Sequence, residues 1–177
     1  MAWEAYDPVR KMSSHYEGQV RDDGVLIPTT DEVAWKHYLQ HRWIYNKLEV
    51  AQGQGLACGI VPTEPTEFPV VVKPIYNLMG GSINVQVCHN MEEYNNIVDP
   101  GCFWSPFHFG DHHSIDLILL DGKIVEMFSF HGEKLQFGAF DLWSLNDDDT
   151  DDELLELVEP WVEEFMSGYT GCLNLEV

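Results

Sequence analysis

Residues 68–75 read Phe-Pro-Val-Val-Val-Lys-Pro-Ile and hold the strongest strand signal in the chain. A run of β-branched side chains that ends at a proline is typical of a buried strand, because branched side chains pack well on a pleated surface and proline cannot donate a ladder hydrogen bond. Lys73 is the polar residue at the end of this run. The segment therefore places a cation at the end of a buried strand.

Further strands are expected on the C-terminal side of this one. Gly80-Gly81-Ser82 reads as a flexible turn, after which Ile83, Val85 and Val87 alternate as a returning strand. Asp121-Gly122 is a strong hairpin signal between two apolar runs. The predicted later strands cover residues 114–120, 123–130, 135–140 and 172–177.

Helical patterns stand before and after these strands. They cover residues 30–53, with Thr30 as N-cap and a break near His41, a short segment from Met91, and residues 151–166, which follow the acidic cluster 146–152 and end before Gly168. This order predicts an α+β fold, with an antiparallel sheet flanked by helices. We expect strands 70–74 and 114–120 to share one sheet, with Lys73 pointing into a cleft.

The charge balance restricts the function. The 177 residues carry nine Lys and Arg against 30 Asp and Glu, a formal net charge of -21. Such a surface repels nucleic acid and anionic membranes, so we expect neither as a direct partner. No apolar run approaches the length of a membrane span, and the N-terminus does not resemble a basic signal peptide. A cytoplasmic location is expected, and the oligomeric state stays open.

The four cysteines, Cys58, Cys88, Cys102 and Cys172, are scattered and form no CxxC pair. Free and mostly buried thiols are the expectation for a cytosolic chain that can bury a core. Ser82 and Ser114 lack a GxSxG context. The sequence therefore offers no case for covalent catalysis.

Three sets of residues could carry chemistry, and each has a plainer interpretation. Lys73 with the glycine turn suits phosphate oxygens, or is a lysine at a strand end beside an ordinary turn. Asn174 and Glu176 share a strand face and suit Mg²⁺, or are an exposed terminus. The third set, His108, Asp111, His112, His113 and Asp116, could bind a transition metal, but adjacent histidines in a strand point to opposite faces.

The order of these motifs resembles the nucleotide-binding core of ATP-grasp proteins. The superfamily pattern is a lysine, "VVKP", a glycine loop, an aromatic-acidic hinge, "GxE-S-V-D" and "DGK". The matching segments are Asn46-Lys47, residues 69–74, 80–85, 103–116 and 121–125. The resemblance covers roughly residues 44–177 and implies a division into an N-terminal helical or irregular segment, 1–45, and an ATP-grasp-like core, 46–177.

The resemblance also implies roles for single residues. Lys47 and Lys73 would face the phosphates of ATP, and Gly80, Gly81 and Ser82 would close over them. The hinge against the adenine would run from Trp104 to Phe107, and Glu176 would bind Mg²⁺. The implied reaction is ATP-dependent joining of a carboxylate to an amine through an acyl phosphate.

The sequence also departs from the family pattern. Pro106 in the hinge lacks a backbone N–H, and His112 stands where an acid would hold the ribose. The sequence ends one residue after Glu176, before the expected Glu-x-Asn strand, and residues 1–45 leave little room for a substrate-binding subdomain. These departures favour a non-catalytic relative, a pseudoenzyme without ATP or Mg²⁺, over a small carboxylate-amine ligase.

A non-catalytic relative would use its acidic surface to bind a basic protein, for example as a phage-type protein that acts on a host enzyme or mimics nucleic acid. Residues 147–164 contain ten carboxylates and no basic residue, and Trp143 and Trp161 are candidate aromatic anchors. The plainer alternative is a solubilising helix start with Trp161 in the core.

Overall fold

The computed structural model describes residues 23–28, 30–78, 83–97, 99–136 and 139–177. The helices are α1 (Asp31–His37), a 3₁₀ helix (Leu39–Tyr45), α2 (Lys47–Gly53), α3 (Met91–Asn95) and α4 (Asp148–Phe165). The strands are β1 (Gly59–Ile60), β2 (Val70–Pro74), β3 (Gln86–Cys88), β4 (Cys102–Pro106), β5 (His113–Leu120), β6 (Lys123–Gln136), β7 (Ala139–Leu145) and β8 (Gly171–Glu176). Across these residues no helix is both long and apolar enough to cross a membrane.

The strands form two four-stranded antiparallel sheets, which confirms the α+β class. The first sheet has the order β1-β4-β2-β3 and the second β7-β6-β5-β8. The expectation that β2 and β5 share one sheet is therefore wrong. The reason is that β2 pairs with β3 along one edge and with β4 along the other, so both of its hydrogen-bonding edges are used.

The chain forms two compact units. Among the described residues, the first unit takes those up to Leu39 together with His113–Phe130 and Leu145–Val177, and the second takes Gln40–His112 and His131–Ser144. The first sheet lies wholly in the second unit. The predicted division of the chain between residues 45 and 46 stays a prediction.

The core of the second unit packs against one face of the first sheet. Val70 and Val72 of β2 are buried on this face. Their buried neighbours in the cluster are Val61, Cys88, Tyr94, Cys102 and Trp104. The indole N–H of Trp104 and the hydroxyl of Tyr94 both donate to the Thr63 carbonyl at 2.7 Å, which satisfies their polar atoms as they are buried. The sequence pattern did not identify β4, because its residues are buried on both faces and lack alternation.

The first unit is organised around the pairing of β5 with β8. Ile115, Leu117 and Leu119 are almost completely buried, and the residues between them are exposed or half-buried. This is the alternation that a strand with one covered face requires. The Asp121-Gly122 turn has φ values of 52° and 77°, as in the predicted tight hairpin. A Cβ atom on Gly122 would lie 2.6 Å from the Met166 carbonyl oxygen, so the turn needs glycine for space as well as for its backbone conformation.

Helix boundaries follow their caps. The Thr30 side chain accepts from the Val33 N–H at 3.3 Å, and α1 ends at His37, so the predicted break near His41 is filled by the 3₁₀ helix. The Asp147 side chain caps α4, which begins at Asp148, earlier than the predicted Asp151. The predicted strand 135–140 is wrong in its bounds: β6 extends to Gln136, and β7 covers Ala139–Leu145.

Candidate functional site

The first feature of the candidate site is the approach of two lysines that are distant in sequence. Lys47 is the first residue of α2, and its backbone N–H donates to the Ile75 carbonyl at 2.9 Å. Asn46 forms an isolated bridge with Tyr76. These contacts fix the start of α2 beside the end of β2, where Lys73 lies two residues before Ile75. The backbone of Lys47 is therefore held beside the end of the strand that carries Lys73, and the phosphate contacts that the resemblance assigns to the two lysines stay a prediction.

Lys73 lies on the face of β2 opposite the Val70 and Val72 side chains, because neighbouring strand residues alternate. Its Nζ atom is 5.5 Å from the centroid of the Phe103 ring, and Phe103 is completely buried. This distance is within the range of a cation–π contact, which attracts the ammonium to the ring face. A half-buried ammonium held in this way is suited to neutralising an anionic ligand.

The predicted glycine loop, Gly80, Gly81 and Ser82, lies outside the described residues. Its assignment to phosphate binding stays a prediction. The described chain resumes at Ile83, and β3 begins at Gln86, close to the predicted returning strand.

The predicted hinge divides into two environments. The Trp104 side chain is 6% exposed and packs in the core cluster, so only its backbone is available to a ligand on the Lys73 face. Phe107 follows the end of β4, and its N–H donates to the Pro69 carbonyl at 3.1 Å. The Phe107 ring packs edge-on against Phe109 at 4.9 Å, and Phe109 is 80% exposed. Phe109 lies outside the predicted hinge, although the Phe-x-Phe spacing of Phe107 and Phe109 is visible in the sequence.

A polar surface lies on the exposed face of the β5–β8 pair. Ser114 is opposite Glu176, and Asp116 is opposite Asn174, so all four share one face. The Asn174 amide donates to Ser114 Oγ and to Asp116 Oδ1, both at 2.8 Å. The prediction that Asn174 and Glu176 share a face is confirmed. Two carboxylates and an amide supply the oxygen ligands that Mg²⁺ prefers, but the role of Glu176 as a ligand stays a prediction.

The histidine-rich segment has several separate partners. His113 Nδ1 is 3.0 Å from the Asn146 amide, whereas the His112 ring packs 5.7 Å from Trp143. Asp111 lies 3.8 Å from His131, and Asp116 bonds to Asn174. Within the described part of the chain no three His, Cys, Asp or Glu side chains form a group that could hold a metal. The sequence proximity of these residues therefore does not become one cluster in space.

Asn146 also belongs to a polar network that joins β6 to the start of α4. The Ser129 hydroxyl is completely buried and donates to Asp151 Oδ1 at 2.5 Å, and the Asn146 amide donates to Ser129 Oγ at 2.5 Å. This network has no signature in the sequence, because its members are far apart along the chain. Its hydrogen bonds satisfy a buried hydroxyl, so its role is structural.

Thiol chemistry is disfavoured at the two buried cysteines. Burial raises the pKa of the Cys88 thiol, and the nearby Glu93 carboxylate raises it further. Burial also raises the pKa of the Cys102 thiol, with Asp99 adding to the effect. Because the thiolate is the reactive form, neither side chain is an activated nucleophile. Cys172 is exposed and Cys58 is half-buried, so only two of the four thiols have the predicted burial.

Helix α4 exposes both acidic and apolar side chains to solvent. Asp147 accepts from the Thr150 backbone N–H at 3.0 Å, and hydrogen bonds from the Thr150 side chain and backbone lower the pKa of the Asp147 carboxyl. The Trp161 ring is half-buried and packs 5.5 Å from Phe165. Trp143, the other candidate anchor, lies on β7 and is 41% exposed.

No protein-family model and no curated protein matches the sequence. The structure is similar to the L-amino acid ligase from Bacillus licheniformis, with a TM-score of 0.57 and 15% identity over 95% of this chain and 47% of that chain. It is also similar to the N5-carboxyaminoimidazole ribonucleotide synthetase from Thermotoga maritima, with a TM-score of 0.52 and 12% identity over 96% of this chain and 50% of that chain.

A third similar structure is the N5-carboxyaminoimidazole synthase from Aspergillus clavatus, in complex with ADP and 5-aminoimidazole ribonucleotide. The TM-score is 0.52, with 10% identity over 82% of this chain and 45% of that chain. The chain therefore spans about half the length of these enzymes. Similarity at such low identity shows the shared fold.

Proposed function

We propose that this chain, whose fold is that of the ATP-grasp enzymes, binds a nucleoside triphosphate through Lys47 and Lys73. The observation that carries the proposal is the hydrogen bond from the Lys47 backbone N–H to the Ile75 carbonyl. It holds the backbone of Lys47 at the end of β2, near Lys73. ATP is the nucleotide we expect, because ATP-grasp enzymes use it and one similar structure contains ADP.

The charge distribution supports a specific role for this pair. The chain has nine basic side chains against 30 acidic ones, so most of its surface repels a polyphosphate. Two half-buried lysines at one strand end are therefore an uncommon local source of positive charge. Phosphate oxygens need such partners, and charge-assisted hydrogen bonds are stronger than neutral ones.

Magnesium is the ion we expect at the exposed side chains of Asp116, Asn174 and Glu176, which share one face of the β5–β8 pair. Carboxylate and amide oxygens are hard ligands, and Mg²⁺ usually keeps several waters when one or two carboxylates bind it. A negative chain also attracts a divalent cation. Glu176 is the residue we expect to contact it.

Catalysis is a further step in the same proposal. Bound ATP supplies the phosphoryl group that would activate a carboxylate for attack by an amine, which is the ligase reaction implied by the fold. Because a fold does not by itself establish a reaction, nucleotide binding and ligase activity are tested separately.

The test is calorimetric titration of the full chain with ATP and Mg²⁺ at millimolar concentration. We expect Lys73→Ala to weaken ATP binding by about tenfold or more, because it removes a charge-assisted contact. Lys123→Ala is the matched control, since Lys123 is exposed on β6 and its loss changes the net charge equally.

Two results would contradict nucleotide binding: no heat with the wild-type chain, or equal weakening by both lysine substitutions. If ATP binds, release of ADP in the presence of amino acids tests the ligase reaction. Binding without ADP release from any amino acid pair would favour the non-catalytic interpretation.

A second candidate function is a non-catalytic, acidic protein that binds a basic protein partner. The observation that favours it is the composition of residues 147–164, where ten carboxylates and no basic residue coincide with one helix and its cap. Complementary charge speeds association and selects against acidic partners. A solubilising role for the same carboxylates is the alternative.

Changing Asp147, Asp148 and Asp149 together to Asn tests this second candidate with a synthetic helical peptide of Leu and Lys as the probe. We expect slower association and a smaller effect of salt, because the Debye length falls from about 10 Å at 0.1 M to about 3 Å at 1 M. Asn retains the helix cap.

The control changes Glu64, Glu67 and Glu92, all exposed, to Gln, which alters the net charge by the same amount. Equal slowing in both triple variants would mean that net charge alone attracts the peptide, and the docking function of α4 would be lost.

A further inference from the structure

The apolar face of helix α4 extends beyond its buried residues into solvent. Leu157, Trp161 and Phe165 follow each other at intervals of four residues and therefore lie along one side of the helix. Leu157 is 61% exposed and Phe165 39% exposed, while the Trp161 ring is half-buried against Phe165. We call these three residues the α4 stripe.

The α4 stripe adjoins the face that packs inside the first unit. That inner face consists of Leu154, Val158 and Val162, which are 8%, 3% and 1% exposed. The two rows lie about 60° apart around the helix axis, so together they form one broad apolar face. The inner row is buried, whereas Leu157 at the outer edge is exposed to solvent.

Carboxylates border the α4 stripe. Glu153 and Glu164 are exposed beside Leu157, on the side of the helix away from the inner face, and Glu156 is exposed further round. The chain has no Lys, Arg or His after Lys134, so the sequence around α4 supplies no positive charge to balance them. A ligand for this surface must therefore combine apolar side chains with positive ones.

We infer that the α4 stripe is the docking surface for a basic amphipathic helix of another protein. The inference rests on the second candidate function and names its contact residues. Apolar side chains of the partner would pack on Leu157, Trp161 and Phe165. Lysine or arginine on one flank of the partner helix would pair with Glu153 and Glu164.

The dimensions and charge support this occupant. Eight residues of helix rise about 12 Å, so the stripe matches slightly more than two turns of a partner helix. A second copy of the chain is disfavoured, since each copy carries a net charge of -21 and would bring carboxylates against carboxylates. Aromatic anchors surrounded by charge are typical of interface centres, where exposed ion pairs alone contribute little affinity.

The test uses a fluorescent synthetic peptide of Leu and Lys with all leucines on one helical face, titrated with the full chain at 0.1 M salt. We expect Leu157→Ala to weaken binding by about tenfold, mainly through faster dissociation. Leu39→Ala is the matched control, because Leu39 is 63% exposed on the 3₁₀ helix. Phe165→Ala should weaken binding in the same direction, and circular dichroism checks that each variant is folded.

A second peptide of the same composition, scrambled to lack an apolar face, distinguishes docking on the α4 stripe from general binding of basic partners. If both peptides bind equally and Leu157→Ala has no effect, docking on the α4 stripe is overturned, while binding of basic partners stands. If neither peptide binds, both are overturned. Sedimentation that shows wild-type dimers, absent in Leu157→Ala, would assign the stripe to a second copy and also overturn the inference.

Discussion

At the scale of single residues, the candidate site depends on two contacts between distant parts of the chain. The Lys73 ammonium is held over the Phe103 ring, and the Lys47 backbone N–H donates to the Ile75 carbonyl just after the end of β2. Neither contact involves neighbours in sequence. The resemblance to a family assigns the same role to both lysines, and the backbone hydrogen bond places Lys47 beside the end of the strand that carries Lys73.

The Tyr38 hydroxyl makes a similar long-range contact. It donates to the Thr170 carbonyl at 3.0 Å and accepts from the Thr170 N–H at 3.1 Å, and both residues are buried. Tyr38→Phe would leave these two backbone groups without that partner. We expect a loss of about 1–3 kcal/mol in the free energy of unfolding, measured by urea denaturation.

Tyr76→Phe is the control for this substitution, because Tyr76 is 52% exposed and water can satisfy the groups left at an exposed site. If both variants unfold at the same urea concentration, the Tyr38 hydroxyl does not contribute to stability in the proposed way.

At the scale of elements, the cap of α4 predicts a pH dependence. Hydrogen bonds from Thr150 lower the pKa of Asp147 below its ordinary value of 3.8. A carboxyl whose folded pKa is lowered stabilises the fold above its unfolded pKa and loses this contribution as pH falls through the folded pKa. Asp147→Asn keeps a capping side chain that does not titrate, so its melting temperature should approach that of the wild type between about pH 6 and pH 3.

Asp152→Asn removes a charge one turn further along α4 and serves as the control, with both variants measured by thermal denaturation. A difference between wild type and Asp147→Asn that does not change with pH would show that the charged form of the cap adds nothing.

The elements also differ in how well their sequence identifies them. β5 alternates buried and exposed residues, so its period is visible in the sequence. The Thr30 and Asp121-Gly122 signals depend on neighbours within a few residues, and both are found where they were predicted. β4 was missed because burial on both faces removes the alternation of apolar and polar residues. Without alternation, periodicity does not distinguish a short buried strand from a buried segment of helix.

At the scale of the whole molecule, two sheets replace the single predicted sheet. Lys73 lies on the first sheet, and Asp116, Asn174 and Glu176 lie on the second. The net charge of -21 applies to both functional proposals, because it makes a paired lysine site uncommon and a basic partner favourable.

The sequence by itself determined the α+β class, most of the strands and helices, the Thr30 cap and the resemblance to the ATP-grasp fold. These properties follow from side-chain periodicity and from hydrogen bonds between near neighbours, which act over a few residues. The tertiary structure decided which strands share a sheet, that the Trp104 side chain belongs to a core, and that the histidine-rich segment is not one cluster. These outcomes depend on which distant segments pair with each strand edge and pack on each apolar face. Segments from the whole chain compete for those positions, so local sequence does not decide them.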